Sequence, residues 1–134
     1  MRSPATDLVS SLVTGSIGTF AAETGWAIYV NREPENPDTT VTLYDTVGSP
    51  FDGLCVATRN ESFRIQVRIR ANTYLTAYSK AVEVQSVLDY IANETIDTAY
   101  YNVVHRLDLI SSLGQDDKDR CILVQNYAGL RSST

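Results

Sequence analysis

Apolar and polar residues alternate most strictly over residues 62–71, where Phe63, Ile65, Val67 and Ile69 are separated by Arg64, Gln66, Arg68 and Arg70. A period of two places the first set on one face of a strand and the second on the other, so this segment is predicted as a half-buried strand with a cationic outer face. The period then changes. Ala77, Ala81, Val84, Leu88 and Ile91 recur at four- and three-residue steps with Tyr74 and Tyr78 beside them, predicting a long helix over residues 73–93. Its alanines allow a close approach to a sheet.

The remaining elements are shorter. Leu8, Leu12, Val13 and Ile17 sit near helical spacing over residues 5–19, with Pro4 and Thr6 available for the first turn and Gly15 and Gly18 weakening the end. Residues 26–30 are aromatic and β-branched and read as a strand, and residues 31–39, with two prolines, as a polar loop. Residues 41–45 alternate and stop at the turn signal Gly48-Ser49-Pro50. Residues 51–61 read either as a brief strand through Leu54, Cys55 and Val56 or as a loop anchored by Phe51. Residues 100–110 and 120–127 read as two further strands joined through a turn at 114–119, an arrangement compatible with an antiparallel hairpin. The sum is one α+β domain over residues 1–134: a mainly antiparallel sheet of about five strands against an N-terminal helix and a long central helix.

Composition narrows the function. A chain of 134 residues, 43% hydrophobic and 20% charged, supports one core and is not of disordered type. The formal charge of −5 argues against a freestanding DNA-binding domain, which needs clustered excess Lys and Arg. No apolar run approaches the roughly 20 residues of a membrane span, and the N-terminus lacks the order of a signal peptide. A soluble protein made in a cytoplasm, without membrane attachment, is expected. Cys55 and Cys121 lie far apart without neighbouring ligands and read as free buried thiols, so no zinc site or redox pair is expected.

Catalytic signatures are absent. The single histidine, His105, falls inside a predicted strand, and no nucleotide-binding or hydrolase motif is present. Asp116, Asp117 and Asp119 cluster in one turn; they read as a solvated hairpin tip, or else as part of a cation site for a metal-dependent nuclease or hydrolase. Such a site needs further carboxylates, for which Asp45, Asp52 and Asp108 are the candidates. No cofactor is expected.

The arginine strand is the most unusual feature, because three guanidinium groups on one face repel one another unless anions or solvent surround them. Three readings follow: local partners from the acidic loop holding Glu33, Glu35 and Asp38; carboxylates supplied by a neighbouring subunit; or contact with nucleic acid. On the long helix, Leu75, Val82 and Tyr90 point away from the alanine stripe, and either residues 51–55, the N-terminal helix or a partner must cover them.

In chain order, Val41-Thr42-Leu43-Tyr44-Asp45-Thr46, then Ile65-Gln66-Val67-Arg68-Ile69-Arg70-Ala71, then Ala77, Ala81 and Leu88 resemble the minor capsid and tail terminator family of long-tailed phages. Leu113-Gly114-Gln115-Asp116, Arg120 and Gln125-Asn126-Tyr127 extend the likeness, which covers about residues 26–130. Ala71 replaces an expected glycine and Tyr127 an expected phenylalanine. The resemblance implies a non-enzymatic virion protein at the head-proximal end of the tail, assembled in the host cytoplasm. It implies a hexameric ring that stops polymerisation of the tail tube protein and offers a surface to the head-tail connector. DNA would pass through its channel without sequence-specific binding. A head-side neck or minor capsid protein is the alternative within the same class. The residues expected at the subunit or tube interface are Arg64, Gln66, Arg68, Arg70, Glu33, Glu35, Asp38, Leu75, Val82 and Tyr90.

Overall fold

The computed structural model describes residues 1–50 and 60–133. The readings of Phe51, Leu54, Cys55 and Val56, and the candidate Asp52, therefore lie outside the described residues. Helix α1, Pro4–Thr14, begins where Ser3 accepts a hydrogen bond from the Thr6 amide and Pro4 takes the first helical position. It stops at Gly15, five residues short of the expected end. Ile17 is nevertheless buried, because the chain turns through Ser16 at φ 62° and folds Ile17 back under the helix end. Burial of a residue just beyond a helix extends the apparent periodicity.

The strands that follow are β1 Thr19–Phe20, β2 Ala27–Val30, β3 Thr40–Pro50 and β4 Asn60–Ala71. After α2, Tyr74–Leu88, come β5 Ala92–Ile96, β6 Ala99–Arg106, β7 Ser111–Gln115 and β8 Cys121–Ser133. They form one sheet of eight strands in the order β1-β2-β3-β4-β8-β6-β5, with β7 also paired to β8. The last strand thus lies in the middle. Its one edge pairs with β4 along its length; its other edge is shared by β7 near Cys121 and β6 near Arg131.

The expected α+β architecture, with about five mainly antiparallel strands and a long central helix, is overturned. The sheet has eight strands and is mixed, since β1, β2 and β3 run parallel, and the helices are short, 11 and 15 residues. Two physical reasons account for the difference. The helical spacing continues from Leu88 to Ile91, but the helix ends at Asp89, and Ile91 is buried by a turn that leads into β5. Residues 31–39, moreover, make no hairpin: they return along β2 so that β3 starts beside it in parallel.

Both helices cover one face of the sheet. Leu8 and Leu12 of α1 and Ala77, Ala81, Val84 and Leu88 of α2 pack on Val41, Leu43, Ile65, Val67, Ile69, Leu123 and Tyr127. Each fully buried leucine contributes roughly 2 kcal/mol. At Gly129 a side chain would strike the Val103 carbonyl and the Phe63 ring, which packs edge-on against Tyr101 at 5.5 Å.

Candidate functional site

The face of the sheet opposite the helices carries the arginine strand. Register places Arg64 opposite Thr46 and Ala128, Gln66 opposite Tyr44 and Asn126, Arg68 opposite Thr42 and Val124, and Arg70 opposite Thr40 and Ile122. The three arginines differ sharply. Arg70 is buried, and its guanidinium donates to the carbonyls of Pro37 at 2.6 Å, Glu35 at 3.3 Å and Asp38 at 3.4 Å, with Glu33 Oε1 at 3.5 Å. Burial, followed by repulsion from Arg120, pushes its pKa down. Arg68 is half-buried, with Nε 2.9 Å from Glu33 Oε2 in an ion pair that is not aligned as a hydrogen bond. Gln66 is half-buried, and Arg64 is exposed with no hydrogen-bond or ion-pair partner among the described residues.

A second guanidinium meets the same loop from another side. Arg120 donates to the Glu35 carbonyl at 2.5 Å and to Asp38 Oδ1 at 3.2 Å, while its Nε reaches Asp116 Oδ2 at 2.8 Å. Lys118 Nζ lies 2.7 Å from Glu35 Oε1. The hydrogen bond and charge of Lys118 lower the Glu35 pKa. At Asp116 desolvation is the largest single influence and acts upward, but the hydrogen bonds from Arg120 and Lys118 and the charge of Arg120 together outweigh it and the pKa falls. The loop at 31–39 is therefore clasped by Arg68 and Arg70 from the sheet and by Arg120 and Lys118 from the β7–β8 turn. A returning loop with no helix over it must satisfy its carbonyls in this way or with water.

The same contacts engage the other candidate carboxylates. Asp116 holds Arg120, Asp108 accepts from the Asn126 amide and side chain, and Asp45 accepts from the Ala5 amide at 2.9 Å and from Asn31 at 3.0 Å. No group of three His, Cys, Asp or Glu side chains positioned to hold a metal ion occurs among the described residues. His105 is exposed and Cys121 is half-buried.

On α2 the outward residues form an apolar strip. Leu75 is 77% exposed and Val82 46%, and Tyr74 and Tyr78 join them with ring centroids 5.9 Å apart, while Tyr90, 82% exposed, lies in the turn just beyond the helix. No described residue covers this set.

The sequence reading missed a buried network at the opposite end of the sheet. Asp7 of α1 accepts from the Tyr101 hydroxyl at 2.6 Å and from Arg2 Nε at 2.9 Å, with Arg131 at 3.4 Å. Arg131 also donates to Glu61 at 2.5 Å and to the Arg2 carbonyl at 2.7 Å. The available signal was Asp7 itself, a charge inside the buried stripe Ala5, Leu8, Leu12.

The sequence matches the family model described as bacteriophage tail terminator protein over residues 8–128. The chain belongs to this family. The match runs from the buried stripe of α1 into β8, so the helix-covered core, the arginine strand and the clasped loop are all parts of the tail terminator framework. Membership makes the chain a structural tail protein of a phage virion. The terminator fold is similar to that of a chain in the virion of a native gene transfer agent particle, with a TM-score of 0.60 and 12% identity over 94% of this chain and 84% of that one. No curated protein matches the sequence.

Proposed function

We propose that this tail terminator acts without catalysis, as a hexameric ring that caps the head-proximal end of the tail tube, stops addition of the tail tube protein and presents a surface to the head-tail connector. The observation that carries this reading is the family match through nearly the whole folded core. The subunit's surface is compatible with it. Leu75, Val82 and Tyr90 give an apolar strip suited to burial between subunits. Arg64 offers a free guanidinium, with Gln66 beside it. Arg68 and Arg70 contribute by holding the loop with Glu33, Glu35 and Asp38 in the shape that meets a neighbour.

Native mass spectrometry across concentration, with negative-stain imaging, tests the ring. Species of six subunits support it; a chain that stays monomeric both alone and on purified tubes overturns it. Particles made without the protein should carry tubes of unregulated length or tails lacking heads. Particle labelling separates this role from that of a head-side neck or minor capsid protein, which would lie above the tail.

A further inference from the structure

Four buried polar atoms beneath the clasped loop have no hydrogen-bond partner among the described residues: the hydroxyl oxygens of Thr40 and Thr42, Glu33 Oε2 and Arg68 Nε. They belong to one place in the fold. Thr40 and Thr42 are alternate residues of β3, so both project from the sheet face opposite the helices, and register sets them beside Arg70 and Arg68 of β4. Both threonines are fully buried. Glu33 closes the group from the loop, with Oε2 2.9 Å from Arg68 Nε and Oε1 3.5 Å from Arg70. Tyr44, the next outward residue of β3, feels the same carboxylate: burial first, and the charge of Glu33 after it, push its pKa up.

A buried polar atom without a partner forfeits the hydrogen bonds that water gave it, so folded proteins keep few of them and seldom several together. Charge decides what can satisfy this group. A cation there would face the guanidinium groups of Arg68 and Arg70, and an anion would face the Glu33 carboxylate, each repelled at short range with little solvent to screen it. Water carries no net charge and offers two donors and two acceptors. Arg68 Nε only donates, Glu33 Oε2 only accepts, and each threonine hydroxyl does either, so the four atoms match the bonds of water in number and in kind.

We infer that Thr40, Thr42, Glu33 and Arg68 form a buried hydration site, binding ordered water between β3 and the loop at 31–39 as an internal part of the clasp. The site stands whether or not the subunits form a ring. Oxygen-17 relaxation dispersion on the intact protein counts the waters held longer than the molecule tumbles, and compares the wild type with Thr40→Val/Thr42→Val. Valine keeps the branched shape and the strand preference of threonine and removes the hydroxyl. The double variant should lose at least one long-lived water per chain and exchange the amides of residues 31–39 faster. Its melting temperature should fall by about 3 °C or more. Dry hydroxyls predict the opposite sign, because valine then deletes an unsatisfied group and the melting temperature rises. A rise, or an unchanged water count, overturns the inference. So does melting of the wild type, but not of the double variant, that tracks the identity of a monovalent salt at fixed ionic strength, since the site then holds an ion. If the double variant fails to fold, Thr42→Val alone gives the same reading, and Thr42→Ser, which keeps the hydroxyl, should retain the water that Thr42→Val loses.

Discussion

At the scale of single residues, Asp7 decides how α1 is held. It is fully buried and accepts from Tyr101, Arg2 and Arg131. Removing it takes the acceptor from the buried Tyr101 hydroxyl and one of two carboxylates from Arg131, which keeps Glu61, so Asp7→Ala should cost about 3 kcal/mol, measured by urea unfolding. Two buried tyrosines set the alkaline limit. Burial, reinforced at Tyr101 by the Asp7 hydrogen bond and at Tyr127 by the charge of Asp89, raises both above the ordinary 10.0. Below that value both stay protonated, folded or unfolded, and their contribution is fully present. As pH rises past it the unfolded chain loses protons that the folded chain keeps, so stability falls toward the raised folded pKa. Melting curves from pH 9 to 12 should show this drop, and absorbance titration should leave these two of the eight tyrosines un-ionised until unfolding. Beforehand only the place of Asp7 inside the apolar stripe of α1 was legible, not its partners. An aspartate in a first helical turn reads as a dipole partner, and its use by a strand more than ninety residues away is a property of the closed fold.

At the scale of elements, the clasped loop makes the sharpest prediction. Arg70→Met keeps the volume and removes the donors to three carbonyls, so amide exchange at residues 31–39 should accelerate at least tenfold while β3 and β4 stay protected. The clasp should also weaken in acid. The folded pKa values of Glu35 and Asp116 lie below their ordinary 4.5 and 3.8, so their support is present above those values and is lost as pH falls through the depressed ones. Limited proteolysis of the loop should therefore speed up below about pH 4. The strand at β4 and the cores of both helices were readable because periodicity reports burial directly. β5 and β7 were not: Ala92–Ile96 and Ser111–Gln115 are almost entirely exposed and carry no alternation. The parallel return from β2 to β3 was hidden because a polar loop with two prolines looks the same whether it reverses the chain or carries it back.

At the scale of the whole molecule, the unpartnered strip on α2 should separate assembly from stability. Leu75→Lys and Tyr90→Lys replace side chains already 77% and 82% exposed, so each should change the unfolding free energy by under about 0.5 kcal/mol. If the strip is buried between subunits, each should still reduce the ring fraction seen by native mass spectrometry. The sequence alone showed that these residues left the buried stripe, but whether anything in the chain covered them depended on packing. A different consequence attaches to β8, which joins last in sequence but lies between β4 and the β6 and β7 edges. On the ribosome, everything up to residue 120 emerges before the strand that binds the two halves of the sheet together. A chain interrupted there exposes the bare edges of β4 and β6 and has no Arg131 to grip α1, so synthesis yields either a finished subunit or material for the proteases.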